Sequence, residues 1–295
     1  MGIPYAEVIG DPIAHSKSPI IHKYWLEKLG IEGDYRATRV TAGELPGYLA
    51  SRRSDPEWRG CSITMPHKLA VIPMLDLVED ERIGAVNCVI PDAGGLTGHN
   101  TDAPGFLAAL REVPARPGPQ NRIATYLHLI GAGGAARAVA AAWCPGDIQF
   151  FNRTSSKAAA LADEYGPGSA LGYGLGLDAL GGGADYQYDP AYPEVKPNKG
   201  DDQRYSFILV NASSMGMTGQ PPVPVDLRAY PPDTLVCDLV YDPLETPLLR
   251  DARQLGMETV DGLAILIGQA RLAFEHFFGA SPPAGDGALR ELLTS

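Results

Sequence analysis

Apolar and polar positions along this chain follow two periods, and the switches between them mark its elements. Residues 5–9 form a short apolar run closed by Gly10, Asp11 and Pro12, which reads as a strand. A helical pattern runs from Ser18-Pro19 to residue 29, with a serine suited to the N-cap and a proline suited to the first turn. Residues 34–40 and 60–64 read as further strands, the second broken by Met65-Pro66, and helices are expected over 43–50 and from about residue 67. Residues 85–90 and 96–99 read as a strand pair joined by a turn over 92–95, and 106–111 as a connecting helix. The proline-rich stretch 114–120 reads as a linker.

The second half has a different rhythm. An apolar strand over 123–130 enters Gly131-Ala132-Gly133-Gly134-Ala135-Ala136, and an alanine-rich helix follows over 137–143. Residues 147–151 predict a strand, and 155–165 a helix capped by Ser155 or Thr154. Residues 207–210 and 235–240 predict two more buried strands. Strand, glycine-rich turn, helix, strand, helix is the order of a doubly wound parallel sheet. Residues 166–204 have weak periodicity and read as an extended insertion with a mobile loop over 190–203. A long helix over 261–278 and a short one over 288–293 complete the chain.

At 295 residues the chain suits two domains, given roughly 100–200 residues for each. A net charge of −11 argues against nucleic acid or an anionic membrane as partner, because both select a basic surface. Small anionic ligands need only a few local donors. The four cysteines form no CxxC pair, which argues against a zinc or redox motif and fits a reduced, cytosolic protein. Neither a signal peptide nor a long apolar span is apparent in the sequence.

The turn at 131–136 matches the GxGxxG/A phosphate-binding fingerprint. Gly131 allows the tight exit from the strand, Gly133 the close approach of a pyrophosphate, and Ala136 the packing of helix on sheet. The following helix directs free N–H groups and its positive end at the phosphates. A tight strand–helix turn alone would explain the same glycines, but the strand before and the helix after favour cofactor binding. The second strand ends Phe151-Asn152-Arg153-Thr154, without the carboxylate that holds a ribose 2′-hydroxyl in NAD enzymes. Arg153 suits a 2′-phosphate and Asn152 and Thr154 add neutral donors, so the sequence favours NADP. An exposed surface arginine is the alternative.

In the first half, Ser16 and Ser18 place two hydroxyls two residues apart, able to donate to one carboxylate or simply to turn and cap the chain. Lys68 follows a strand end and starts a helix. It is either a proton donor to a developing alkoxide or a solvated surface charge. Asp102 either orients Lys68 or caps the helix that follows it.

As a set, these segments resemble the shikimate dehydrogenase family over nearly the whole chain. The matching strings are VIGDPIAHSKSP (8–19), SITMPHK (62–68), GAVNC (84–88), GHNTDAPGF (98–106), GAGGAARA (131–138), NRT (152–154), NASSMGM (211–217), DLVYDPLETPLL (238–249) and DGLAILIGQA (261–270). The resemblance implies an α/β fold with an N-terminal substrate domain, residues 1–105 plus 262–295, whose C-terminal helices pack back on it. Residues 106–261 would form a doubly wound Rossmann-like NADP domain. It implies reversible, NADP-dependent reduction of 3-dehydroshikimate to shikimate. Lys68 and Asp102 would be the catalytic pair, and Ser16, Ser18, Thr64, Asn87, Gln269 and Tyr241 would bind the substrate. Gly131, Ala132, Gly133, Gly134, Ala135, Asn152, Arg153, Thr154, Met215 and Gly262 would hold the cofactor, with no metal. Ser62 and Cys88 depart from the family's usual asparagine and threonine and are expected to alter the pocket slightly. A quinate/shikimate or aminoshikimate dehydrogenase of the same family is the nearest alternative, and a non-catalytic nucleotide-binding regulator a distant one. A cytoplasmic monomer or homodimer is expected.

Overall fold

The computed structural model describes residues 2–113, 125–144, 147–165, 172–177, 180, 206–283 and 285–295. Its internal contacts divide the chain into two units. One comprises Met1–Arg111, Arg137–Ala142 and Leu263–Ser295; the other comprises Glu112–Ala136 and Trp143–Gly262. Among the described residues no helix is long and apolar enough to cross a membrane.

The first unit begins β1 (Tyr5–Gly10), α1 (Ser18–Leu29), β2 (Asp34–Arg39), α2 (Leu45–Arg52), β3 (Trp58–Ile63) and α3 (His67–Ala70). It continues with β4 (Leu77–Val78), β5 (Cys88–Asp92), β6 (Gly95–His99) and α4 (Asp102–Arg111). The sheet order is β2-β1-β3-β5-β6-β4. Strand β1 runs parallel to β2 and β3, whereas β5 is antiparallel to both β3 and β6. All six residues of β1 are buried, as expected of a central strand covered on both faces. Tyr5 and Ile9 enter a core with Leu45, Leu49, Trp58 and Val71, while Ala6 and Val8 face the opposite core with Tyr35, Cys88, Ala273 and Phe277.

The second unit contains β7 (Thr125–Ile130), the start of α5 (Gly134–Trp143), β8 (Asp147–Phe151), α6 (Ser155–Tyr165) and β9 (Gly172–Leu175). Then follow β10 (Ser206–Asn211), β11 (Leu235–Asp238), α7 (Pro247–Gln254) and β12 (Glu258–Val260). All neighbours pair in parallel, in the order β12-β11-β10-β7-β8-β9. Counted from β7, this is the doubly wound order 3-2-1-4-5-6. Helices α8 (Gly262–Phe278) and α9 (Gly287–Thr294) return the chain, from Leu263 onward, to the first unit.

Several elements differ from the sequence reading. Ser18 does not cap α1: it is the buried first helical residue, and the cap position falls on Lys17 without a side-chain bond. The strand expected over 85–90 starts only at Cys88, and Val86 N–H is drawn to Lys68 O instead of to a neighbouring strand. Helix α4 starts four residues earlier than expected. Strands β4 and β12 are two and three residues long, too short to show a period, and every second residue of β9 from Gly172 is glycine. Helix α7 had a readable start, since Thr246 caps it and Pro247 occupies the first turn. The linker at 114–120 and the loop at 190–203 lie outside the described residues.

Candidate active site

In the first unit, strand direction gathers the candidate residues at one edge of the sheet. Strands β1, β3 and β6 all end there, and antiparallel β5 begins there. Ser16 and Ser18 follow β1, Thr64 and Lys68 follow β3, Asn87 precedes β5, and Asp102 follows β6. Gly10 is required at this edge. A Cβ there would sit 2.4 Å from Thr64 Cγ2 and 2.8 Å from Met65 O, so only glycine lets the two parallel strands exit side by side.

Lys68 Nζ donates to Asp102 Oδ2 at 2.5 Å, and both side chains retain 15% of their exposure. The pair is therefore sheltered yet reachable from solvent. Backbone bonds hold the lysine turn: Val86 N–H donates to Lys68 O at 2.8 Å, and His67 N–H to Thr64 O at 3.0 Å. The buried His67 ring donates through Nε2 to Val40 O at 2.6 Å, which assigns the proton to that nitrogen. The start of α4 is capped by Asn100, whose Oδ1 accepts from Ala103 N–H at 3.1 Å. Asp102 is thus free of the capping role, and its second oxygen accepts from Asn87 Nδ2 at 2.9 Å.

Behind the pair lies a buried amide and hydroxyl network. Asn87 Nδ2 also lies 2.9 Å from Thr101 Oγ1 and 3.3 Å from Gln269 Oε1, and Asn87 Oδ1 accepts from Thr101 N–H at 2.6 Å. An amide has two N–H groups, so these serve Asp102 and Thr101, and the Thr101 hydroxyl donates onward to Gln269 Oε1 at 3.2 Å. Gln269 reaches the network because Gly105 lacks a side chain: a Cβ there would meet Gln269 N at 2.6 Å. Thr101 and His67 were not singled out by sequence reasoning, although both lie inside matching strings. A hydroxyl adjacent to the carboxylate was the available signal.

In the loop after β1, Ser16 N–H donates to Ile13 O, and Ser16 Oγ accepts from Ser18 N–H at 3.3 Å, which leaves the hydroxyl proton of Ser16 for another partner. Ser62 and Cys88 both sit in the interior. Ser62 Oγ accepts from Tyr35 at 2.8 Å, and Cys88 packs with Ala273 and Phe277.

In the second unit the strand order reverses between β7 and β10, the place where open parallel sheets bind ligands at their carboxyl ends. Gly131 leaves β7 at φ +126°, and a Cβ there would sit 2.8 Å from Ala212 O, so the tight turn demands glycine. Gly133 is exposed with open space where a Cβ would be, and Ala136 is buried. The free N–H groups of the α5 start, around Gly134 and Ala135, suit a pyrophosphate. Arg153 and Thr154 are exposed after β8, and Asn152 Nδ2 donates to Thr154 O at 3.1 Å. These are donors without a carboxylate, the set a 2′-phosphate needs.

The ends of β10 and β11 carry a second buried network that sequence reasoning missed. Asn211 and Asp238 are ladder partners, and Asn211 Nδ2 donates to Asp238 Oδ1 at 2.9 Å and to Met215 O at 2.9 Å. Thr246 Oγ1 and Val240 N–H also donate to Asp238, at 2.7 and 3.0 Å. Burial pushes the Asp238 carboxyl up to about 6, against the downward pull of those three donors. Met215 is thereby held through its backbone, its carbonyl by the Asn211 amide and its N–H by Ser213 Oγ. Tyr241 is half-buried, its phenol raised by burial and by neighbouring Asp242. Gly262 starts α8 against the carbonyls of Leu239 and Val240, where a Cβ would come within 2.6 Å of both.

Residues 8–89 match the model of the shikimate dehydrogenase substrate binding domain. The chain is 48% identical over 300 residues to the shikimate dehydrogenase (NADP(+)) of Sphingopyxis alaskensis, with 99% of this chain and 97% of that relative covered. Among solved structures it is similar to the shikimate 5-dehydrogenase of Thermus thermophilus in complex with NADP(H) and shikimate, at 35% identity and a TM-score of 0.77, covering 99% of this chain and 98% of that one. It is also similar to the quinate dehydrogenase of Corynebacterium glutamicum in complex with NAD, at 30% identity and a TM-score of 0.73, covering 98% of each chain.

Proposed function

The chain belongs to the shikimate dehydrogenase family, and on that premise we propose that it reduces 3-dehydroshikimate reversibly to shikimate with NADP as cofactor. The observation that carries the catalytic reading is the sheltered Lys68–Asp102 pair, held from behind by Asn87, Thr101 and Gln269 at a sheet edge. We assign residues 1–105 and 262–295 to substrate binding and 106–261 to the cofactor.

The cofactor supplies a hydride when bound. Lys68 holds its proton on Nζ and passes it to the ketone oxygen, where negative charge grows as the carbon is reduced. Asp102 Oδ2 orients that ammonium, and Asn87 orients Asp102. In oxidation of shikimate the same nitrogen takes the hydroxyl proton. Ser16 and Ser18 donate to the substrate carboxylate, while Thr64, Asn87, Gln269 and Tyr241 contact its polar groups. The N–H groups at 131–135 would hold the pyrophosphate, Asn152, Arg153 and Thr154 the 2′-phosphate, and Met215 and Gly262 the nicotinamide end. No step requires a metal. We assign the protein to the cytoplasm as a monomer or homodimer acting on a small acid, not on nucleic acid or membrane; the acidic charge and cysteine usage support this.

The test is a panel of shikimate and quinate with NADP and NAD, followed by absorbance of the reduced cofactor. Shikimate with NADP is expected to give the highest kcat/KM. A preference for quinate with NAD would move the protein to the neighbouring activity, and no turnover with any pair would leave only nucleotide binding. Arg153→Ala is expected to raise the KM for NADP by about tenfold or more while that for shikimate stays within about twofold. Equal rises would remove Arg153 from the 2′-phosphate.

A further inference from the structure

The loop at Ser16–Ser18 contains one cation that the chemistry above does not use. A lysine between two hydroxyls assigned to a carboxylate is the natural counter-charge, yet Lys17 Nζ donates to Leu293 O at 2.6 Å. Leu293 lies in the last turn of α9, where backbone carbonyls lack an intrahelical N–H and the helix dipole favours a cation. The other end of α9 is tied as well. Asp286, just before its first residue, accepts from Tyr24 Oη at 3.0 Å and from Lys28 Nζ at 2.7 Å. Lys17 to Tyr24 and Asp286 to Leu293 are each a step of seven residues, about 10 Å along a helix. Helix α9 therefore lies antiparallel along α1 with matched anchor spacing, and Leu289 and Leu293 are buried. The connection from α8 is fastened too, since Arg271 donates to Pro282 O and Pro283 O at 2.9 and 2.8 Å.

We infer that Lys17 is a positioning residue, locking the turn that holds Ser16 and Ser18 to the C-terminal helix so that the end of the chain sets the placement of both hydroxyls. Anchored on a carbonyl, the ammonium fixes the backbone between the two serines. The inference rests on the assignment of Ser16 and Ser18 to the substrate carboxylate.

Steady-state kinetics with shikimate and NADP on the full-length enzyme test it. Lys17→Met is expected to raise the KM for shikimate about fivefold or more, with kcat and the KM for NADP within about twofold of wild type. Lys17→Arg, which can still donate to the carbonyl, is expected to restore the KM. Asp286→Ala frees the far end of α9 without touching the charge of Lys17. It should raise the same KM, and the double variant should lose less than the product of the two single effects. A wild-type KM in Lys17→Met overturns the inference. So does a silent Asp286→Ala beside an impaired Lys17→Met, which would mean that the charge acts directly on substrate. Ser16→Ala and Ser18→Ala separate the premises. If they raise the KM and Lys17→Met does not, only the tether fails; if they leave it unchanged, the carboxylate assignment fails and the tether with it.

Discussion

Each unit places an aspartate at the end of a strand pair, and the two are treated in opposite ways. Asp102 faces an ammonium at 2.5 Å, keeps 15% of its side-chain exposure, and receives one amide proton from behind. Asp238 is fully buried and, among the described residues, met by neutral donors, a threonine hydroxyl, an asparagine amide and a backbone N–H, and burial lifts its carboxyl to about 6. A carboxylate beside a reachable cation suits proton chemistry. A carboxylate sealed among neutral donors suits a scaffold, because each donor depends on it to avoid being buried unpaired. Under the proposed function the same residue type serves chemistry in one unit and loop placement in the other, and the partner decides which.

The strongest break of this comparison is Lys68→Ala. Turnover is expected to fall by about 10²–10⁴-fold while the KM for shikimate and the thermal midpoint change little. Near-normal turnover in stopped assays would remove the lysine from the chemistry.

Asp238→Ala should act on stability instead. It leaves the Asn211 amide and the Thr246 hydroxyl without their acceptor, a loss on the order of 3 kcal/mol in urea denaturation. Unchanged stability there would mean that the network is not a scaffold.

The last expected effects are slopes against pH, and they have opposite signs at His22 and at Asp238. His22 is buried in the first unit, stacked on Tyr35 with neither nitrogen hydrogen-bonded among the described residues, and burial lowers it from 6.5 to about 3. The unfolded chain therefore takes up this proton first. The stability that the neutral ring preserves above pH 6.5 is lost as pH falls toward 3, by up to about 1.4 kcal/mol per pH unit. His22→Leu should flatten that acid slope. His128, lowered by burial to about 4, adds a slope of the same sign as that of His22 from the second unit. Asp238 is raised, so the folded state holds its proton more tightly: its contribution is full below 3.8 and lost as pH rises through 6. Asp238→Asn should therefore steepen the rise of stability between pH 4 and 6. Identical urea midpoints against pH for wild type and either variant would contradict the assigned shift.

Much of the fold was legible because its signals are local. The largely apolar runs that became β1 and β7 are central strands, and a strand buried on both faces reads as a nearly continuous apolar stretch. Gly131 was readable because a positive φ and a close carbonyl leave no other residue type. The serine cap of α1 was misread because Ser18 is itself helical and buried. Strands β4 and β12 were invisible because pairing with a longer neighbour, not their own pattern, makes them strands.

By itself, the sequence determined the alternation of strands and helices and the glycine turn, and it carries, where a carboxylate could stand, the arginine on which the proposed 2′-phosphate contact rests. Those properties depend on neighbours a few residues apart. Only the tertiary structure decided that Lys68 meets Asp102, that Gln269 meets the Thr101 hydroxyl from far along the chain, and that Lys17 turns to Leu293. Such meetings depend on strand order and register, which combine the whole chain, and no local period encodes them.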